Sequence, residues 1–231
     1  MNEKTVVVTG ASRGLGASVA RAFASENAHV VVCARSEGAL GSIAAEIEGN
    51  ESGTVTAQRA DVRDEYDTER LMETAARVSQ GGIDVVVANA GVYHGDPGET
   101  SLEGESYSAV DDHLRTNGRG VYTTIKESVP HLAEGANVLV PSGSVAREAR
   151  AGFGSYAVSK ATAEAVARGF AAELDAAVGV LDPGQVETGL GTAGRDPDDI
   201  APMFVWAATD LASDDLNGEI VDLKAWRKAT H

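Results

Sequence analysis

Two side chains with complementary chemistry, Tyr156 and Lys160, stand four residues apart in the stretch Gly-Ser-Tyr-Ala-Val-Ser-Lys. Residues four apart on a helix project from the same face. An ammonium group beside a phenol favours the phenolate, so it lowers the phenol pKa from its usual value of about 10. We therefore expect this pair to donate and accept the proton of a carbonyl/alcohol couple.

The chain contains a second pair with the same spacing, Tyr122 and Lys126. Only the first pair follows a strand-like segment: the apolar run 136–140 leads into a loop that carries Ser144, twelve residues before Tyr156. Tyr122 also has a serine upstream, Ser108, but that serine lies in a polar helix-like stretch rather than at a strand end. We interpret the second pair as ordinary neighbours on a helix surface.

Three glycines, Gly10, Gly14 and Gly16, separate the β-branched run 5–8 from the helical stretch 17–25. Backbone without a Cβ approaches a pyrophosphate closely, and the helix N-terminus that follows supplies free N–H groups. The sequence therefore predicts a dinucleotide site at this turn, although a glycine turn also serves purely structural ends.

Two arginines, Arg13 in the glycine turn and Arg35 after the second strand, indicate which dinucleotide is preferred. No acidic residue follows that strand until Glu37, so a carboxylate for a ribose 2′-hydroxyl is missing there. Guanidinium groups instead suit a 2′-phosphate, which favours NADP(H) over NAD(H). Pairing of these arginines with nearby acids such as Glu37 is the alternative. Asp61, after the third strand, is expected either to accept a hydrogen bond from the adenine amino group or to cap a turn.

The elements that must position these residues alternate between strand and helix along the whole chain. Such alternation predicts an α/β fold of the Rossmann type, doubly wound, with a mostly parallel sheet and helices on both faces. We expect one domain, residues 1–231. The predicted strands are 5–8, 29–33, 54–59, 83–88, 137–140, 177–181 and 219–223, and the predicted helices are 17–25, 37–47, 66–78, a long region broken near 117–120, 155–175 and 197–212.

Composition excludes several classes of function. The 231 residues include 35 acidic and 19 basic side chains, a net charge of −16, which disfavours binding to nucleic acid or anionic membranes. No apolar run reaches the ~18 residues of a membrane span, and the N-terminus leads straight into a strand, so we expect no targeting segment and a cytoplasmic location. Cys33, the one cysteine, is predicted to be a buried apolar residue. The acidic balance also suggests adaptation to high salt, where screening removes self-repulsion.

The motifs together resemble the short-chain dehydrogenase/reductase family along nearly the whole chain. They are Thr9-Gly-x-x-x-Gly-x-Gly16, Asn89-Ala-Gly91, Asn117, Ser144, Tyr156-x-x-x-Lys160 and Pro183-Gly-x-Val-x-Thr188, in family order. The resemblance implies an NAD(P)-dependent oxidoreductase acting on CH–OH groups, a seven-stranded sheet and a small-molecule carbonyl or alcohol substrate. Family members are commonly dimers or tetramers, so a homodimer or homotetramer is expected.

The resemblance also implies roles for four residues. Tyr156 would be the general acid/base, and Ser144 would hydrogen-bond the substrate oxygen. Lys160 would hold the nicotinamide ribose and depress the Tyr156 pKa, while Asn117 would position a water that relays protons to Lys160.

The resemblance further implies a set of cofactor contacts that extends from the glycine turn to the loop after the sixth strand. Asn89 and Gly91 would support the adenosine side, and residues 183–188 would bind the nicotinamide carboxamide. The expected cofactor-binding residues are Gly10, Ser12, Arg13, Gly14, Leu15, Gly16, Arg35, Ser36, Asp61, Val62, Asn89, Ala90, Gly91, Tyr156, Lys160, Pro183, Gly184, Val186 and Thr188.

Some features depart from the family pattern or leave alternatives open. Only about nine residues, 189–197, are available for the segment that usually closes over the substrate, which suggests an exposed pocket or one closed by a neighbouring subunit. His94 is interpreted as a loop residue rather than a pocket residue, and Trp226 either contacts a partner chain or caps its own core. No metal site is predicted, because the histidines show no ligand spacing. Alternative functions are an NAD(P)-binding regulator without turnover and an NAD-dependent dehydrogenase of sugars or secondary alcohols.

Overall fold

Seven parallel strands form one sheet in the order β3-β2-β1-β4-β5-β6-β7, in a computed structural model that describes residues 1–187 and 194–230. This confirms the predicted doubly wound fold with its seven strands. The strands are β1 (Thr5–Thr9), β2 (His29–Ala34), β3 (Thr54–Arg59), β4 (Ile83–Val87), β5 (Leu132–Pro141), β6 (Ala177–Asp182) and β7 (Ile220–Asp222).

Helices cover both faces of the sheet and bury two separate apolar cores. The helices are α1 (Gly14–Ser25), α2 (Glu37–Asn50), α3 (Glu65–Val78), α4 (Tyr107–His113), α5 (Gly120–Ser128), α6 (Gly154–Ala171), α7 (Pro197–Thr209), α8 (Ser213–Leu216) and α9 (Leu223–Thr230). One core packs α1, α2 and α7 against the sheet, and the other packs α3, α5 and α6. No helix of the described ranges is long and apolar enough to span a bilayer.

The residues of β1 show why the continuous apolar runs become central strands. Successive side chains of a strand point to opposite faces, so Val6 and Val8 enter one core and Val7 enters the other, each fully buried. The apolar runs 30–33 and 85–87 follow the same logic on the two neighbouring strands.

Element boundaries differ from the predictions where tertiary pairing outweighs local composition. β5 begins at Leu132 rather than residue 137, because Leu132 pairs with Ile83 before the register shifts. The expected break near residues 117–120 is a π-helical turn, Leu114–Arg119, that joins α4 to α5 without interrupting the chain of helices. The predicted helix 197–212 ends at Thr209, and α8 follows it as a separate helix that was not predicted; the predicted helix 155–175 ends at Ala171.

The C-terminal segment, predicted as a tail, instead forms α9. Its Trp226 packs against the core that contains α7, which agrees with the second of its two expected roles. Trp226 is therefore a cap on the chain's own core.

The fold brings four loop segments to one edge of the sheet. The strand order reverses between β1 and β4, and in doubly wound sheets ligands bind beyond the carboxyl ends of the strands at this point. The segments that leave β1, β4, β5 and β6 carry most of the residues singled out in the sequence. Parallel pairing of these strands is what places them side by side.

Candidate active site

Two adjoining cavities open at this edge and share Leu15, Asn89 and Gly91 in their walls. The first, the Tyr156 cavity, has a volume of about 250 Å³, and the second, the glycine-turn cavity, about 640 Å³. Every described residue of the predicted site lines one of them. Asn117, Ser144, Tyr156, Lys160, Pro183, Gly184 and Val186 line the Tyr156 cavity, and Gly10, Ser12, Arg13, Gly14, Gly16, Arg35, Ser36, Asp61, Val62 and Ala90 line the other. Thr188 lies outside the described residues.

The glycine turn has the shape that its residue types predict. Gly10 has φ +68°, and a Cβ there would lie 2.6 Å from the Ala90 Cα. A Cβ on Gly16 would lie 2.5 Å from the Gly10 carbonyl oxygen. Arg13, the N-cap of α1, makes no side-chain capping hydrogen bond to the N–H groups of the first turn. These features fit a pyrophosphate at the helix N-terminus.

Asn89 fixes this turn to the end of β4. Its side-chain amide nitrogen donates to the carbonyl oxygens of Thr9 at 2.9 Å and Gly10 at 3.3 Å. The Ala90 N–H donates in turn to the Thr9 hydroxyl at 3.1 Å. Asn89 therefore supports the glycine turn through these hydrogen bonds.

Arg13 and Arg35 are exposed on the wall of the glycine-turn cavity. Among the described residues no carboxylate lies within 4.0 Å of either guanidinium, so the alternative pairing of these arginines with Glu37 does not occur. The donor set therefore fits a phosphate group on the adenosine ribose.

Asp61 at the same wall is engaged by its own loop. Its carboxylate accepts from the backbone N–H of Arg63 at 3.0 Å and from the Arg63 guanidinium at 2.7 Å. Burial alone would raise the pKa of Asp61, but the hydrogen bonds and charge of Arg63 hold that pKa below its ordinary value. The turn-capping alternative is therefore present in the structure, and the adenine contact stays a prediction.

Tyr156 and Lys160 lie in the first two turns of α6 and both face the Tyr156 cavity. The Tyr93 ring, from the loop after β4, packs against the phenol with ring centroids 4.7 Å apart. The Lys160 ammonium donates to the carbonyl oxygen of Pro141, at the end of β5, with an Nζ–O distance of 2.6 Å. The pair is thus seated between two strand ends of the sheet.

The pKa of the phenol departs from the sequence-based expectation. Burial, with a smaller contribution from Tyr93, raises the pKa of Tyr156 to about 12. Burial also lowers the pKa of Lys160 to about 8, although Glu164 and Asp182 act in the opposite direction. Lys160 is not among the groups that shift the pKa of Tyr156, so the lowering expected from its spacing is wrong for this structure, and burial of the phenol decides the direction.

Asn117 occupies the π-helical turn and its side-chain amide is already used. Its Oδ1 accepts from the Val92 N–H at 2.8 Å, and its Nδ2 donates to the Val92 carbonyl at 2.9 Å and the Ser159 hydroxyl at 2.9 Å. Ser159 donates onward to the Tyr156 carbonyl oxygen at 2.7 Å. The side chain therefore ties the loop after β4 to α6, and the role of Asn117 in positioning a water stays a prediction.

A cluster of charged residues with two buried carboxylates, absent from the sequence predictions, lies beneath this site. Arg147 donates to Glu164 on α6 and to Asp182 at the end of β6, and Ser142 donates to the same Glu164 oxygen at 2.7 Å. The Glu164 side chain is 3% exposed. These contacts fix both ends of the segment 142–147, which carries Ser144. Spacing gave one signal that could have revealed the cluster: Glu164 follows Lys160 by four residues, on the same helix face.

A second missed group secures the N-terminus of α6. Glu105 accepts from the Ser155 N–H and, at 3.0 Å, from its hydroxyl. His113, which has no exposed surface, contacts the same hydroxyl at 2.7 Å. Burial lowers the pKa of His113, so its neutral form is favoured. A carboxylate at this position stabilises the start of the helix that carries Tyr156.

The remaining sequence candidates do not line the Tyr156 cavity. His94 contacts Asp112 at 2.7 Å and lines neither cavity, as expected of a loop residue. Tyr122 stacks on Phe170 with centroids 5.5 Å apart and stays on the helix surface. Cys33 is buried, which raises the pKa of its thiol to about 12. The described part of the chain contains no group of three or more potential metal-ligating side chains.

Comparisons with known proteins agree with this geometry. The family model described as short chain dehydrogenase matches residues 4–198. L-fucose dehydrogenase of Mus musculus is 35% identical over 195 residues, which are 81% of this chain and 67% of that protein.

Two solved structures carry nucleotides and share the fold. An alcohol dehydrogenase from Thermococcus sibiricus, complexed with 5-hydroxy-NADP, has a TM-score of 0.83 and 30% identity over 95% of each chain. A 3-ketoacyl-(acyl-carrier-protein) reductase from Brucella melitensis, complexed with NADH, has a TM-score of 0.83 and 27% identity over 96% of this chain and 97% of that one.

The chain belongs to the short-chain dehydrogenase/reductase family. It is accordingly an oxidoreductase that acts on CH–OH groups, and its structural relatives bind NAD(P).

Proposed function

We propose that this chain is an NADP(H)-dependent oxidoreductase that interconverts a carbonyl and an alcohol, with Tyr156 as general acid/base. The observation that carries the proposal is the convergence of Tyr156, Lys160 and Ser144 on one cavity that adjoins the glycine turn. Residues 1–231 would act as one dinucleotide-binding unit.

In this proposal the nicotinamide, when bound, supplies or accepts the hydride at the substrate carbon. The Tyr156 hydroxyl gives its proton to the carbonyl oxygen, or takes it back in the reverse direction. Ser144 donates a hydrogen bond to the same oxygen and steadies its developing charge. Lys160 would hold the nicotinamide ribose, and Pro183, Gly184 and Val186 would contact the carboxamide, together with Thr188.

The preference for NADP(H) rests on Arg13 and Arg35. Both line the glycine-turn cavity without a carboxylate partner among the described residues, in a chain whose acidic side chains outnumber its basic ones. An NAD-dependent dehydrogenase of sugars or secondary alcohols is the nearest alternative. An NAD(P)-binding regulator without turnover is disfavoured because Ser144, Tyr156 and Lys160 are all present at one cavity.

Loss of NADPH absorbance with ketones, aldehydes, sugars and acyl thioesters, at low and high salt, tests the activity. Tyr156→Phe is expected to reduce kcat/KM by at least ~100-fold, the scale of general acid–base catalysis. Tyr122→Phe removes the hydroxyl of the other Tyr/Lys pair and should leave the rate unchanged. Equal rates for the two variants would refute the role of Tyr156.

Binding of the two coenzymes tests the preference separately. Arg35→Ala should weaken NADPH binding more than NADH binding, whereas Arg168→Ala, which removes an exposed arginine of α6 that lines neither cavity, should change neither. Equal losses for both coenzymes in Arg35→Ala would refute the assignment. Cytoplasmic location and a homodimeric or homotetrameric state belong to the same proposal, and sedimentation in solution would test the latter.

A further inference from the structure

The wall of the Tyr156 cavity has an unusual charge balance for this chain. Acidic residues outnumber basic ones by 35 to 19 overall, yet none of the described residues that line this cavity is acidic. Two of them, Lys160 and Arg150, are cationic. The cavity therefore presents positive charge to a substrate.

Arg150 differs from the other arginine of its loop in having no acidic partner. Arg147 is bound by the carboxylates of Glu164 and Asp182, whereas no carboxylate of the described residues lies within 4.0 Å of the Arg150 guanidinium. Its guanidinium instead stacks over the Phe153 ring, with the Cζ atom 5.0 Å from the ring centroid. Stacking keeps the fork of N–H donors at the cavity wall while leaving it free to bind an anion.

The remaining walls of the cavity are largely apolar or aromatic. They include Tyr93, Pro97, Val145, Phe153 and Val186. Such walls suit an apolar substrate body, and a planar guanidinium suits a carboxylate because it offers two parallel N–H donors.

We propose that Arg150 selects substrates in which an apolar carbonyl compound carries a carboxylate. This deepens the proposed function and rests on it: the carbonyl would lie at Tyr156 and the carboxylate at Arg150. The substrate class is then an oxo acid with an aromatic or aliphatic body, and the product is the corresponding hydroxy acid.

Matched acids and esters test the proposal. Phenylglyoxylate and 4-oxo-4-phenylbutanoate differ in the distance from carbonyl to carboxylate, and the methyl ester of each keeps the body and removes the charge. The wild type should prefer at least one acid over its ester by about tenfold in kcat/KM, the scale of one charge-assisted hydrogen bond at a partly exposed site. Arg150→Met should abolish that preference, and Arg168→Met should retain it.

Calorimetric binding of the same acids and esters, with and without NADP(H), makes the outcome independent of turnover. Wild-type protein that binds an acid more tightly than its ester, with the difference lost in Arg150→Met, would support the proposal even if no carbonyl were reduced. The absence of any reduction would count against the proposed function and not against the role of Arg150. Wild-type protein that binds or reduces both esters as well as both acids, or fails to bind either acid, would overturn it. So would an Arg150→Met variant that loses NADPH affinity with its acid preference intact, because Arg150 would then serve the coenzyme.

Discussion

Arg147 is the side chain whose removal should most disturb the region beneath the active site. It joins three segments, because it donates to Glu164 on α6 and Asp182 at the end of β6 from the loop that follows β5. Those carboxylates are 3% and 10% exposed, whereas the Arg147 side chain is 33% exposed. Arg147→Met removes the charge and keeps most of the volume, so Glu164 and Asp182 would remain buried with one cation fewer.

The expected loss follows from these exposures. Breaking a buried pair by removing one partner costs about 3–5 kcal/mol, because a buried charge is left uncompensated. Water reaches the outer third of Arg147, so we expect the lower end, about 3 kcal/mol. Glu164→Gln should cost less, since the amide oxygen still accepts from Ser142. The double variant should cost less than the sum of the single variants by about 1–2 kcal/mol, as expected for groups in contact.

Urea unfolding at pH 7, with the m-value compared between variants, measures these differences. Arg150→Met is the matched control: it makes the same change in the same loop at an arginine without a carboxylate partner, and should stay within ~0.5 kcal/mol of the wild type. An Arg147→Met variant as stable as Arg150→Met, or strictly additive losses with Glu164→Gln, would refute the cluster as a stabilising unit.

Three further outcomes test the burial and charge of the protein. Because burial raises the pKa of Cys33 to about 12, iodoacetamide should leave the native protein unmodified at pH 8 and label one thiol after unfolding; rapid labelling of native protein would contradict this. Burial lowers the Lys160 pKa from 10.5 to about 8, so the unfolded chain holds this proton more tightly than the folded one. The unfolding free energy, measured relative to Lys160→Met, should therefore rise with pH from about 8 to 10.5, and a flat difference would argue against burial. The net charge of −16 predicts a melting temperature that rises with KCl, whereas a flat or falling one would rule out adaptation to high salt.

The fold could be predicted from sequence because its signals are local. Runs such as Val6-Val7-Val8 are apolar on both faces, and only a strand between two helical layers buries both. The predicted element boundaries were wrong where contacts between distant segments set them. The residues 133–135, Ala-Glu-Gly, give no strand signal, yet they lie inside β5 because its first residue pairs with Ile83. Trp226 gave no indication of α9, whose formation depends on packing against α7.

Sequence spacing carried information on which residues come together, and not on their electrostatics. The described residues that the motifs identified line the two cavities, because most of them lie at a strand end or in the first turns of a helix. The pKa of Tyr156 could not be read from its spacing to Lys160, because burial is a property of the folded protein. Asp182 was equally hidden: it comes beside the loop after β5 only through the register that pairs Pro141 with Leu181.

The cluster beneath the site explains how a lysine can be buried there at all. Lys160 and Arg147 carry two positive charges, Glu164 and Asp182 carry two negative ones, and the four side chains come from three segments: α6, the loop after β5 and the end of β6. The two carboxylates favour the charged form of Lys160 against burial, while Arg147 offsets their excess charge. A lone ammonium under a phenol would tend to lose its proton in such surroundings. The four charges add to zero, and the two carboxylates favour the protonated form of Lys160 in the cavity that Tyr156 lines. Glu164 on α6 and Asp182 on β6 therefore stabilise the charged lysine.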